Sequence, residues 1–237
     1  MLDYLDDAHP EAARSARARH ACFDHAAEDA QAYGYGASYG VSLDCEDEVV
    51  EQLREMNRLA ATHARAAGPA HDELFYAQQN ARLVHNAEEY NRTMFRGSVS
   101  SWNLRDRHMV DTLAALDEYL STGSSQARIA VWAHNSHLGD ASATEMGDQG
   151  EWSVGQLVRE RFPGQAALIG FSTYNGWVTA ATDWDDPPQR KRVRDALEGA
   201  GKLRSMRRAS RRACWTCETM RPRAAWQPSR GCNVPSG

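Results

Sequence analysis

Apolar positions recur at helical spacing through the first half of the chain. Residues from about 10 to 32, led by Pro10-Glu11-Ala12-Ala13, are alanine-rich and predict a first helix. The stretch from Tyr33-Gly34-Tyr35-Gly36 to Gly40 breaks that pattern. Val49, Leu53, Met56 and Ala60 then mark one face of a second helix, with Asp44 as its cap and Gly68-Pro69 as its close. A third helix is predicted from near Asp72 to about Phe95, with Leu74, Ala77, Ala81 and Val84 on its face, ended by Gly97 and Ser98. A fourth starts near Ser101, carries Met109, Leu113, Leu116 and Leu120, and stops at Gly123-Ser124-Ser125.

The period then changes. Arg128 to Ala133 reads as a strand buried on both faces. A polar loop runs from His134 to about Trp152, and loops of that length are usually functional or mobile. Val154 to Arg159 reads as a short helix ending at Phe162-Pro163-Gly164. Ala166–Ser172 and Gly176–Ala181 read as strands joined by a hairpin at Asn175-Gly176, and Pro188 to Leu197 as a last helix. Four helices precede only three strands. The predicted fold is therefore α/β, a helical bundle packed on a small and incomplete sheet.

The 237 residues are 42% hydrophobic and 25% charged, with a mean hydropathy of −0.65. No apolar run approaches the length of a membrane helix, and the acidic start Met1-Leu2-Asp3-Tyr4-Leu5-Asp6 has no signal core, so the expectation is a cytoplasmic protein without a membrane partner. Five unevenly placed cysteines fit reduced thiols better than a disulfide framework.

The net charge of −5 hides an asymmetry. Residues 199–237 hold nine of the 27 Lys and Arg but one of the 32 Asp and Glu, so this tail carries +8 and residues 1–198 carry −13. The division drawn is a domain over 1–198 and a basic tail over 199–237, expected to be disordered. One reading of the tail is a site for nucleic acid or an acidic partner. The other, preferred here, is the product of a shifted reading frame in a GC-rich gene, which argues against nucleic acid as a partner. Cys214-Trp215-Thr216-Cys217 lacks the βαβ context of a redox motif and is taken as incidental.

Candidate chemistry gathers in two places. His134 and His137 sit where the predicted strand ends, a place where α/β proteins concentrate function. Their spacing suits divided acid and base roles, or a metal site completed by Asp140, Glu145, Asp148 or Glu151, or plain structural hydrogen bonding. The second place is Ser101-Trp102-Asn103-Leu104-Arg105-Asp106-Arg107-His108-Met109. Here Ser101 and Asp106 can serve a helix start, and Arg105 can clamp an anion.

These two segments resemble the erythromycin esterase family. Ala21-Cys22-Phe23 with Tyr33-Gly34, Cys45-Glu46-Asp47-Glu48, and Ile169-Gly170-Phe171-Ser172-Thr173 followed by Gly176 and Ala180-Ala181 agree with it in the same order, over residues 1 to about 198. The resemblance implies an ester or lactone hydrolase with an α/β core and a helical bundle, using histidines and glutamates, a His-activated water and no cofactor. It implies a small-molecule ester or lactone substrate and, in some members, macrolide resistance. The family's Ala-His-Asn-x-His motif lands on His134, Asn135 and His137, implying catalytic histidines beside a substrate-binding Asn135. Its Asn-x-Arg-Asp motif lands on Asn103, Arg105 and Asp106 as substrate-binding residues. The family's Gly-Glu-x-x-His-Gly segment has no counterpart in this sequence, whose histidines before residue 63 are His9, His20 and His25. The expectation is an N-terminally truncated member, with Met1 an internal start and hydrolysis weak or absent.

Overall fold

A computed structural model of the chain describes residues 1–24, 29–41, 44–63, 69–121, 125–171, 173, 175–183, 186–195 and 216–218. It is mostly helical. The order is α1 (Leu2–Ala8), α2 (Pro10–His20), a 3-10 turn (Ala21–Phe23), α3 (Ala30–Tyr39), α4 (Glu46–Thr62), α5 (Pro69–Thr93) and α6 (Ser98–Leu120). Then come α7 (Asn135–Leu138), a 3-10 turn (Ala141–Ala143), α8 (Glu145–Asp148) and α9 (Val154–Arg161). Strands β1 (Leu168–Gly170), β2 (Gly176–Ala180), β3 (Gln189–Val193) and β4 (Thr216–Glu218) make two antiparallel pairs, β1 with β4 and β2 with β3. The chain divides into one compact unit of residues 1–132 with 140–157 and another of 133–139 with 158–237. No helix among the described residues is long and apolar enough to cross a membrane.

In the first unit the predicted helical faces form the core. Val49 and Met56 of α4 are buried, and so are Leu74, Ala77 and Ala81 of α5. Leu5, Ala13 and Ala16 from α1 and α2 close on Met56 and the α5 residues as one cluster. Alanines predominate there, so close approach of the helix backbones replaces bulky side chains. Met56, with no exposed surface, contributes about 1.5–3 kcal/mol by its burial.

The expected helix over 10–32 is not continuous: α2 ends at His20, and Asp29 starts α3 by accepting from the backbone N–H groups of Gln31 and Ala32 at 2.9 and 3.1 Å. The glycine run expected to break the pattern is itself the middle of α3. Gly34 is helical because it faces α5: an added Cβ would strike the Asn91 carbonyl, with its carbon at 2.9 Å and the Phe95 ring at 3.2 Å. The glycine that ends the helix is Gly40, at φ 67°, where the left-handed conformation favours glycine. Helix α4 begins after Cys45, with the Asp44 carboxylate only loosely placed at 3.4 Å from the Glu46 N–H. Its first turn holds Glu46, Asp47 and Glu48, favourable to the helix dipole.

The core also encloses charge. Glu88 is buried and accepts hydrogen bonds from the Tyr33 hydroxyl at 2.9 Å and the Arg92 Nε at 3.0 Å. Arg92 reaches Glu46 at 3.0 Å, and the Tyr33 oxygen accepts from the Cys45 N–H at 2.9 Å. Burial works to lower the Arg92 pKa, but the hydrogen bond and charge of Glu88, with Glu46 and Asp44, outweigh it and hold it above the usual value. Desolvation raises the Tyr33 pKa, and the Glu88 charge adds to that rise. Cys45 is bonded to Cys22 in a disulfide, which overturns the expectation of reduced thiols for this pair. The 23-residue separation explains why spacing alone did not suggest it: α3 folds back to bring the two ends together.

Three expectations for the second half of the chain are corrected. Residues 128–133 form no strand, and Ile129, Val131 and Trp132 are 38%, 47% and 85% exposed. A strand requires a neighbour to close its hydrogen bonds, and no described strand pairs with this segment. Asn175-Gly176 does not join β1 to β2 as a hairpin, because β1 pairs with β4. The expected helix over 188–197 is instead β3, in register with β2 from Gly176↔Val193 to Ala180↔Gln189. Its sequence Gln-Arg-Lys-Arg-Val supplies no apolar stripe for a helix to bury, so cross-strand pairing decides. The loop from 134 to 152 is folded into α7, a 3-10 turn and α8. The tail over 199–237 lies outside the described residues except for β4.

Gly34→Ala is expected to push α3 away from α5 and cost about 1–3 kcal/mol, the range for overpacking a filled interior. Urea unfolding of the full chain measures it, and an unchanged midpoint would contradict the close α3–α5 contact.

Candidate functional site

His134 and His137 lie in the second unit, the first capping a four-residue helix and the second within it. Helix α7 spans Asn135–Leu138, with His134 as its N-cap. The backbone N–H groups of His137 and Leu138 donate to the His134 carbonyl at 3.0 and 3.2 Å. The His134 ring does the capping: its Nδ1 accepts from the Ser136 N–H at 3.2 Å and lies 2.9 Å from the Ser136 hydroxyl. A backbone N–H can only donate, so Nδ1 carries the lone pair and the neutral ring keeps its proton on Nε2. His134 is exposed, and in this tautomer its Nε2 carries the N–H. His137 is partly buried, one turn further along.

Asn135 fixes this turn to the end of β1. Its Oδ1 accepts from the Phe171 N–H at 3.2 Å, and its Nδ2 donates to the Phe171 carbonyl. The amide thus imitates a β-ladder partner. Both ends of the side chain expected to bind substrate are engaged by backbone.

The other cluster lies in the first unit, on α6. Because α6 starts at Ser98, Ser101 is not its cap, and Asp106 stands more than two turns inside. Asp106 serves a different helix: its fully buried carboxylate accepts from the Val154 N–H, the first residue of α9, at 3.0 Å. Asn103 does for this segment what Asn135 does for Phe171, donating to the Gly150 carbonyl at 2.9 Å and accepting from the Trp152 N–H at 2.7 Å. The Trp102 Nε1–H donates to the Trp152 carbonyl at 2.6 Å. Two guanidiniums stack on these indoles, Arg105 at 5.1 Å over Trp102 and Arg107 at 4.8 Å over Trp152. Arg105 is exposed.

The sequence pattern assigns no role to Ser153, and none to His108 within its segment. The buried Ser153 hydroxyl accepts from the Ala141 N–H at 3.1 Å and the Gln156 N–H at 3.2 Å. Its signal was present: Ser153-Val154-Gly155-Gln156 has the spacing of a capping box. His108 joins α6 to α5 through Asn86, whose Nδ2 donates to its Nδ1 at 2.7 Å while Asn86 Oδ1 meets the His85 Nδ1 at 2.9 Å. Desolvation lowers the His108 pKa, the Arg82 charge lowers it further, and Asp111 pulls the other way.

The loop carboxylates have local tasks. Asp140 accepts from the Ser142 N–H at 3.2 Å and its hydroxyl at 2.6 Å, and Glu145 accepts from the Gln149 amide at 3.4 Å. Among the described residues, no group of three His, Cys, Asp or Glu is placed to hold a metal ion.

The family model for erythromycin esterase matches residues 1–215, reaching past the boundary drawn at 198 from the sequence. No solved structure matches the chain.

Two outcomes follow from the α6 geometry. Asp106→Ala removes the acceptor of a buried helix-terminal N–H and is expected to cost about 1–3 kcal/mol in urea unfolding, with Asp106→Asn costing less. The lowered His108 pKa means that the unfolded chain binds more protons below the ordinary value of 6.5. Stability should therefore be complete above that pH and fall as acid is added through it. The thermal midpoint of His108→Gln, followed from pH 7.5 to 5, should drop less steeply than that of the unsubstituted chain.

Proposed function

Since the chain belongs to the erythromycin esterase family, and so to the esterase-like hydrolases, we propose that it acts on a small-molecule ester or lactone through His134 and His137. The observation that carries the division of roles is the Ser136 N–H donated to His134 Nδ1. It leaves His134 with Nε2–H, a donor suited to the carbonyl oxygen as negative charge develops there. His137, within α7 itself, takes the role of base toward a water in this proposal. The water attacks the acyl carbon while its proton passes to His137. The tetrahedral oxyanion is held by the His134 N–H, and collapse expels the alcohol, which takes the proton back from His137.

In the first unit, taken by itself, Arg105 is the substrate-binding group of the proposal. Its guanidinium is exposed while its flat face is held by Trp102. Asn103 and Asp106 act as positioning residues, through the backbone of residues 150–154 that they grip. Asn135 positions α7 in the same manner. Macrolides are one substrate class within the reading. A cytoplasmic location is part of it too, and the Cys22–Cys45 disulfide weighs against that part.

Purified protein assayed with p-nitrophenyl acetate and a macrolide lactone tests the proposal. His137→Ala should remove the base and return the rate to background. His134→Ala should do the same by removing the oxyanion donor. Hydrolysis that survives both substitutions would place the chemistry elsewhere.

A further inference from the structure

The β2–β3 hairpin of the second unit has a face that ester hydrolysis does not use. In its antiparallel register Trp177 stands opposite Arg192, and Thr179 opposite Arg190. Directly paired residues share a face, so these four side chains lie together. Trp177 is 59% exposed, and the Arg190 guanidinium stacks 4.8 Å from its ring centroid. Arg190 and Arg192 are both exposed. Lys191 lies on the opposite face, where its Nζ donates to the Thr182 hydroxyl at 2.6 Å.

Neither strand contains a carboxylate. Among the described residues, the nearest acids in sequence are Asp183 and Asp186 in the connection and Asp195 beyond β3. The face is therefore cationic along its strands, with one large aromatic ring set among the charges.

That combination selects its partner by chemistry. Phosphates pair with guanidiniums, and an exposed indole offers a flat surface on which any unpaired base can stack. A duplex keeps its base faces covered, and an acidic peptide would use the charges but not the ring. We propose that this hairpin face binds single-stranded nucleic acid, DNA or RNA, without sequence preference. Trp177 stacks on a base, and Arg190 and Arg192 take the flanking phosphates. This site is distinct from the basic run over 199–237 that sequence reading set aside, and it does not depend on the hydrolase proposal.

The test is fluorescence anisotropy of a labelled oligothymidylate titrated with the full chain over a range of low to moderate salt. Binding should weaken as salt rises, and Arg190→Gln with Arg192→Gln should flatten the log–log salt slope by about 1.4, the value for two single-strand phosphate contacts. Trp177→Ala should weaken binding about tenfold with the slope unchanged, as expected for loss of one base stack. Lys191→Gln, on the opposite face, should leave both quantities as they were. The paired arginine variant guards against a Trp177→Ala chain that fails to fold, and far-UV circular dichroism identifies that case. Any of four outcomes overturns the proposal. These are no binding at low salt, equal affinity for a duplex, equally effective competition by oligoglutamate, or loss of binding only on Arg207→Gln, Arg208→Gln, Arg211→Gln and Arg212→Gln together.

Discussion

A buried carboxylate organises the first unit. Glu88 lies in the interior of the α3–α5 contact, where an unpaired charge would cost several kcal/mol. Two groups compensate it, Tyr33 from α3 and Arg92 from one turn further along α5 itself. Arg92 in turn holds Glu46, and Tyr33 holds the Cys45 N–H, so the start of α4 is fixed by the same charges. The docking of α3 satisfies all of these bonds together. The disulfide to Cys22 and the close passage of Gly34 over Asn91 are consistent with that docking.

The helices were legible because their stabilisation is local and periodic. Val49 and Met56, or Leu74, Ala77 and Ala81, declare a buried face within a few turns of sequence. Gly34 was misread because a glycine required by a neighbouring helix looks the same in sequence as a glycine required by a turn. Residues 128–133 were misread for a related reason. Ile-Ala-Val-Trp-Ala has the composition of an inner strand, but pairing is a property of two segments, and none of the described strands lies beside this one. In β3 the decision was again non-local, since β2 supplies what a helix could not.

The candidate residues were found as types, and their partners were not. Nothing in Asn103 or Asp106 names Trp152 or Val154 as the group it holds, nearly fifty positions away. The two asparagines, Asn103 and Asn135, share one device: a carboxamide closes a pair of hydrogen bonds on exposed main chain, much as another strand would. Residues whose spacing suggests direct contact with a ligand can thus act one layer back, by giving shape to the backbone that a ligand would meet.

The cap of α7 places a constraint of its own on chemistry there. The ring of His134, the oxyanion donor of the proposed function, is also the fastening of the turn that carries His137. A proton arriving at Nδ1 would take the lone pair that Ser136 needs and set a positive charge at the positive end of a four-residue helix. In the proposed reaction scaffold and reagent are the same five-membered ring: one nitrogen lends its hydrogen while the other keeps its lone pair for the neighbouring turn.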